Sequence, residues 1–191
     1  MSLLLAIISY LIGSIPMGFI LSEVFFKKDV RTMGSGNIGA TNIFRNFGKV
    51  PGLLTFLLDF AKGYLAVFIG SRLLDEKGKA LALLFVVLGH MYSIFLHFKA
   101  GKGISTAFGG ILFIDKRIAL ALLVVFIIIF IIFRIVSLSS ISAALLAGIL
   151  GFYWYGLSLF SIILLIVAIL VEIRHKDNIK RLLRGEEKKL F

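Results

Sequence analysis

Cysteine is absent from the 191-residue chain, which excludes disulfides and thiolate metal sites outright. Glutamine is absent as well. Depletion of these residues is a compositional trait of thermophile proteins and carries no chemistry of its own. Acidic residues are scarce, 10 against 21 Lys and Arg, and charged residues of both signs make up 16% of the chain, where globular chains carry about 25%. The apolar share is 60% and the mean hydropathy +1.06, which rules out a soluble domain. The formal charge of +11 does not point to nucleic acid, because the basic residues sit in short segments between apolar runs. Such residues orient membrane spans and meet anionic headgroups.

The runs without charge are long: residues 1–22, 80–98 and 135–171. A bilayer-spanning helix needs roughly 20 mainly apolar residues. The N-terminal run has no basic segment before it, and Lys27-Lys28 follow it, so it reads as a retained first span over 3–25 with its N-terminus outside. Further spans are expected from Pro51 to about Ser71, over Ala80–Phe98 and over Ile118–Phe133. The 37 uncharged residues of 135–171 would make one helix of about 55 Å, so they are expected to form two spans turning near Gly151–Gly156. Gly103–Ile114 is short for a crossing. Counted as one, it gives an all-α polytopic membrane protein of seven transmembrane helices, in a single domain over 1–191, with the C-terminus cytoplasmic. That parity puts 15 of the basic residues inside and 5 outside, with Lys62 within a span, as the positive-inside rule requires.

Three polar segments are then expected on one face. Gly34-Ser35-Gly36-Asn37-Ile38-Gly39-Ala40-Thr41-Asn42 has the glycine spacing of a backbone anion nest. It also fits G-x-G-x-x-G, and nearly a P-loop with Ala40 in place of the lysine. Neither nucleotide reading suits a loop with no strand before it and a membrane span after it. The second segment joins His90 and Ser93, three residues apart on one helix face, to Lys99 and Lys102 among small residues. A positive, donor-rich rim suits phosphate; a basic turn against anionic lipid is the plainer alternative. His97 has no assigned task. The third, 175–185, has an apolar stripe of Ile179, Leu182 and Leu183 and reads as an amphipathic helix lying on the membrane. That reading does not account for His175 and Asn178. Within the spans, Asp59 and Lys62 form either a structural ion pair or a substrate contact, and Ser137, Ser139 and Ser140 either face a cavity or hydrogen-bond between helices.

Taken together, G-S-G-N-x-G-A-T-N-x-x-R (34–45), G-H-x-x-S-x-F-L-x-F-K-x-G-K-G (89–103) and H-x-x-N-I-x-R-L-L-x-G-x-E (175–187) resemble the three signature segments of the bacterial acyl-phosphate-dependent glycerol-3-phosphate acyltransferases. The likeness runs the length of the chain. Ala100 departs from it, since the family commonly has glycine there. The resemblance implies a multi-pass enzyme of the bacterial inner (cytoplasmic) membrane with its active site on the cytoplasmic face. It implies acyl transfer from a fatty acyl phosphate to the 1-hydroxyl of sn-glycerol 3-phosphate, the first acylation of phospholipid synthesis, giving lysophosphatidic acid and phosphate. On this reading Ser35, Gly36, Asn37, Gly39, Ala40, Thr41 and Asn42 bind the acyl phosphate. Arg45, Lys62, Ser93, Lys99, Gly101, Lys102, Gly103, Ser140 and Arg181 hold glycerol 3-phosphate. His90, His175 and Asn178 surround the reacting hydroxyl, with either a histidine or a substrate phosphate taking its proton. No cofactor and no metal are expected; the partners are the two substrates and membrane lipids, with no nucleic acid, and the enzyme is expected to be a monomer. An anion transporter would need polar groups at mid-membrane, where Asp59 and Lys62 stand nearly alone. The H-x-x-x-x-D acyltransferase mechanism is excluded, because Phe95, Lys102 and Lys180 occupy the places where its aspartate would follow His90, His97 and His175.

Overall fold

In a computed structural model that describes residues 1–190, every regular element is a helix. Four helical stretches are long and apolar enough to cross a membrane: Ser2–Phe26, Lys49–Leu96, Lys116–Phe133 and Val136–Tyr155. Ile104–Ile114 is a shorter apolar helix. The chain forms two compact units, Met1–Gly110 and a second that begins at Ile111.

In the first unit, α1 (Ser2–Ser14) and α2 (Met17–Phe26) are separated at Ile15-Pro16, where Ile15 is extended. Proline has no N–H for the helical ladder, so the break exposes carbonyls near the end of α1. α3 (Ala40–Phe47) is a short helix with Asn42 and Ile43 buried. α4 (Lys49–Met91) leaves helical geometry at Leu74 (φ −147°) and Asp75 (φ 47°), which divides it into arms 49–73 and 76–91. Small residues bring backbones together: a Cβ at Gly78 would stand 2.0 Å from the Gly70 carbonyl oxygen, and one at Gly89 would stand 2.1 Å from that of Tyr10. Close backbone approach at glycine is how helices pack in lipid, where hydrophobic burial offers no drive. The Gly70–Gly78 contact sets the two arms side by side. α5 spans Ile104–Ile114.

The span expected over Ala80–Phe98 ends at Met91. Tyr92 leaves helical geometry, residues 94–96 form a single 3-10 turn, and His97 and Phe98 take positive φ. Ile94, Phe95 and Phe98 are exposed there, and hydropathy scores an apolar residue alike in a helix or on a turn.

The second unit stacks α6 (Lys116–Phe133), α7 (Val136–Tyr155) and α8 (Leu159–Arg174) in sequence order, followed by α9 (Lys176–Leu183). The expected turn near Gly151–Gly156 falls at Gly156, and Ser158 caps α8 in a reciprocal capping box with Ser161. Asp115 caps α6 by accepting from the Arg117 and Ile118 amides and receives the Tyr155 hydroxyl at 2.6 Å. Burial would raise its carboxyl pKa, but the hydrogen bonds from Arg117, Tyr155 and these amides outweigh it and hold the pKa down at about 2.

Candidate active site

The glycine-rich segment is a shaped loop. Gly34 (φ +55°) and Gly36 (φ +69°) lie in the left-handed region, which turns successive N–H groups to one side. Asn42 holds the loop from within. Its Oδ1 accepts from the Ser35 amide and from Asn46 Nδ2, both at 3.0 Å. Its Nδ2 donates to the carbonyls of Val30 (3.4 Å), Met33 (3.0 Å) and Asn37 (2.8 Å). The side chain is buried and committed at both ends, so Asn42 shapes the loop from within. The Gly39 amide bonds to Asn37 Oδ1 at 2.8 Å. Ala40 and Thr41 open α3, where first-turn amides have no carbonyl one turn earlier and the helix dipole favours an anion. Arg45, one turn on, is exposed.

The second polar segment lies against the first. Asn37 Nδ2 donates to the Ala100 carbonyl at 3.4 Å. Beneath this contact Val30, Ile38, Ile43, Leu96 and Ala100 form an apolar cluster, flanked by Phe19 and Phe47. The methyl of Ala100, the position that departs from the family pattern, is thus absorbed by apolar neighbours. Lys99 is exposed and Lys102 half-buried, and Gly103 (φ +84°) turns the chain into α5.

Below the second loop lies a buried polar cluster. Lys62 Nζ is 2.8 Å from Asp59 Oδ1, at ion-pair distance though off hydrogen-bond geometry, and donates to the Ile15 carbonyl at 2.9 Å. His90 Nδ1 is 3.2 Å from Thr106 Oγ1 and 3.5 Å from Asp59 Oδ1. The Ser93 hydroxyl donates to the Ser14 carbonyl at 2.5 Å. Lys62 and Ser93 thus donate to the main-chain carbonyls at the Pro16 break, that of Ile15 also accepting from the Met17 amide at 3.1 Å. Of the two readings of Asp59 and Lys62, the ion pair is the one realised. Gly101 is seated on His90: its amide donates to the His90 carbonyl at 3.1 Å, and a Cβ on it would fall 1.8 Å from His90 Nε2.

In the second unit the expected amphipathic helix is α9, Lys176–Leu183. His175, at the α8–α9 junction, is buried with Nδ1 2.8 Å from the Val171 carbonyl. A carbonyl only accepts, so Nδ1 carries the proton, and in the neutral ring Nε2 is the acceptor. Glu187 gathers three donors: Ser137 Oγ (2.7 Å) and Asn178 Nδ2 (2.6 Å) on Oε1, and Arg181 Nε (2.6 Å) on Oε2. Burial raises its carboxyl pKa, but these hydrogen bonds prevail and hold it below the ordinary glutamate value. Asn178 and Arg181 were expected to contact substrate; the structure joins both to Glu187. Ser140 is buried one turn from Ser137 on α7. Sequence reasoning assigned no task to Glu187, although it closes the third motif, and had no signal for Thr106. Among the described residues no group of acidic, histidine or cysteine side chains could hold a metal.

The model of the glycerol-3-phosphate acyltransferase family matches residues 3–185. A glycerol-3-phosphate acyltransferase of Carboxydothermus hydrogenoformans is 41% identical over 191 residues, covering 100% of this chain and 97% of its own. One of Staphylococcus aureus strain Newman is 38% identical over 199 residues, with 100% and 98% covered. The crystal structure of PlsY (YgiH), an integral membrane glycerol 3-phosphate acyltransferase, in its glycerol 3-phosphate form superposes with a TM-score of 0.93 at 37% identity, covering 98% of this chain and 94% of that one. Its lysophosphatidic acid form superposes at 0.90. The three motifs, the helical membrane architecture and full-length likeness to these proteins agree, and the chain belongs to the glycerol-3-phosphate acyltransferase family of membrane acyltransferases.

Proposed function

We propose that the protein transfers a fatty acyl group from acyl phosphate to the 1-hydroxyl of sn-glycerol 3-phosphate, releasing lysophosphatidic acid and phosphate. The observation that carries this reading is the pairing of two anion-suited loops in one unit, the glycine loop at 34–41 and the Lys99–Lys102 bend, joined through Asn37 and Ala100. Both substrates bear phosphate, and one bears a fatty chain that suits an enzyme in lipid. We assign the acyl phosphate to Ser35, Gly36, Gly39 and the Ala40 and Thr41 amides, with Asn37 and Asn42 shaping the loop. Glycerol 3-phosphate is assigned to Arg45, Lys99 and Lys102, and the roles implied for His175 and Ser140 stand beside these. The enzyme crosses the inner membrane seven times, N-terminus out, with its chemistry at the cytoplasmic face, and acts as a monomer.

In the reaction the 1-hydroxyl oxygen bonds to the acyl carbon, the bond from that carbon to the bridging phosphate oxygen breaks, and the phosphate leaves with the electron pair. Fixed N–H and cationic donors stabilise the charge that develops on oxygen. His90 and His175 are both buried, each with Nδ1 turned to an oxygen. We assign the hydroxyl proton to the leaving phosphate, which carries the electron pair of the broken bond; His175 Nε2 is the competing acceptor that the variant below tests. Cofactors have no part in this balance.

Purified protein given glycerol 3-phosphate and palmitoyl phosphate should release phosphate, and acyl-CoA should not replace the acyl phosphate; comparable turnover with acyl-CoA would refute the donor assignment. His175→Gln should keep substantial kcat, whereas a loss of about 10³-fold at unchanged KM would make His175 the general base. Cysteines placed at Lys28 and Lys188 should label only from the cytoplasmic side and one at Lys77 only from outside.

A further inference from the structure

The Asp59–Lys62 pair takes no part in the chemistry proposed above, yet it lies one contact away from the loop assigned to glycerol 3-phosphate. Ionisable side chains at membrane depth are costly to keep, and these two are 1% and 4% exposed. A simple strut between helices would need neither the charge of Asp59 nor its aim. Asp59 Oδ1 stands between Lys62 Nζ at 2.8 Å and His90 Nδ1 at 3.5 Å. Thr106 Oγ1 approaches the same His90 nitrogen at 3.2 Å. Nδ1 thus faces the Asp59 carboxylate and the Thr106 hydroxyl together, and the Nε2 edge turns the other way. That edge meets Gly101, where even a Cβ would overlap Nε2, while the Gly101 amide is bonded to the carbonyl of the same histidine. His90 therefore holds Gly101 from its main chain and its ring together, and Lys102 follows in the next residue. Lys62 has a second anchor on the Ile15 carbonyl, so the cluster is referenced to the fixed end of α1.

We infer that Asp59 is a positioning residue for glycerol 3-phosphate: restrained by Lys62, it sets the His90 imidazole on which the Gly101–Lys102 backbone is seated. The inference rests on the assignment of the Lys102 loop to that substrate. It gives His90 a task other than proton transfer, and it gives the buried Asp59 and Lys62 of α4 a reason to be where they are.

The test is steady-state kinetics on the full-length enzyme with both substrates varied, for wild type, Asp59→Asn, the charge-neutral pair Asp59→Asn/Lys62→Met, Asp59→Glu and Lys102→Ala. Asp59→Asn should raise KM for glycerol 3-phosphate about tenfold, the scale of one charge-assisted hydrogen bond, while KM for palmitoyl phosphate and kcat stay within about twofold to threefold. Asp59→Glu should recover part of the loss. The double variant keeps the argument decidable if Asp59→Asn leaves Lys62 unpaired and unfolds the protein; it should fold and still show the raised KM. Imidazole ¹⁵N spectra give a second readout, simple because the chain has 3 histidines. The His90 resonances, assigned with His90→Gln, should show the proton on Nδ1 in the wild type and move in the double variant. Unchanged KM for glycerol 3-phosphate in the folded Asp59 variants would overturn the inference, as would a fall in kcat at unchanged KM. If Lys102→Ala raises that KM and the Asp59 variants do not, only the positioning role fails. If Lys102→Ala leaves it unchanged, the substrate assignment of the loop fails and the inference falls with it.

Discussion

Two polar hubs organise the two units, and they are built from opposite chemistry. Asn42 is a neutral amide that both accepts and donates, and apart from Asn46 its partners are backbone groups of its own loop. Glu187 is a carboxylate that only accepts, and its partners are side chains drawn from α7 and α9. An amide can close a loop upon itself without adding charge where an anionic ligand is to bind. A carboxylate gathers donors from separate elements and fastens the C-terminal segment, but it brings a titrating group with it. The choice of hub residue fits the phosphate site proposed for the first segment and the tail held by the second.

Asn42→Asp should have the largest effect. The replacement keeps the shape but turns an acceptor toward the carbonyls of Val30, Met33 and Asn37, each buried polar group left unmet costing about 1–3 kcal/mol, and it adds negative charge to a phosphate loop. Turnover should fall by about 100-fold or more, the rate equivalent of about 2.7 kcal/mol, with a lowered Tm; an active, stable variant would show that the amide is not the organiser.

Next in size is Glu187→Gln. It retains one acceptor but loses the charged bond to Arg181, so stability measured in detergent should drop by about 1.5–3 kcal/mol. If stability is unchanged, the second hub does not depend on charge.

Acid separates the hubs without mutation. The Glu187 pKa is lowered in the folded protein, so its stabilisation is present above the ordinary glutamate pKa and is lost as pH falls through the lowered value. Amide protection in 185–190, corrected for intrinsic exchange, should decline below about pH 4, while that of 35–42 should hold, since Asn42 does not titrate. Parallel loss in both segments would erase the contrast.

Ser137→Ala should be the mildest, removing one of three donors to Glu187 at a cost of about 0.5–1.5 kcal/mol, and its effect should shrink in the Glu187→Gln background.

The helices were legible because a membrane span declares itself by length and apolarity, and the chain has runs of both kinds. The glycine-rich loop and the Lys99–Lys102 bend were legible as loops for a similar reason: glycine spacing and lysines beside small residues are local signals. What could not be read was the direction of a polar side chain. Asn42, Lys62 and Ser93 carry groups suited to phosphate, but each turns inward to a carbonyl whose need arises from the folded backbone. Glu187 shows the same gap in reverse, for it stood in a recognised motif while its partner Ser137 lies 50 residues earlier.

The interruption at Ile15-Pro16 has a consequence for biogenesis. Two carbonyls at this break find side-chain partners in Lys62 and Ser93, both of which follow the first helix in the chain; that of Ile15 also accepts from the Met17 amide at 3.1 Å, so the need falls on that of Ser14. A carbonyl without a partner in lipid costs several kcal/mol. The bend of the first segment is therefore complete only when the turn after α4 brings Ser93 to the Ser14 carbonyl. Completion of the N-terminal bend and closure of the loop around Gly101 thus become one late event in assembly, so a nascent chain cut short before Ser93 should carry its first helix in the membrane but lack a settled bend.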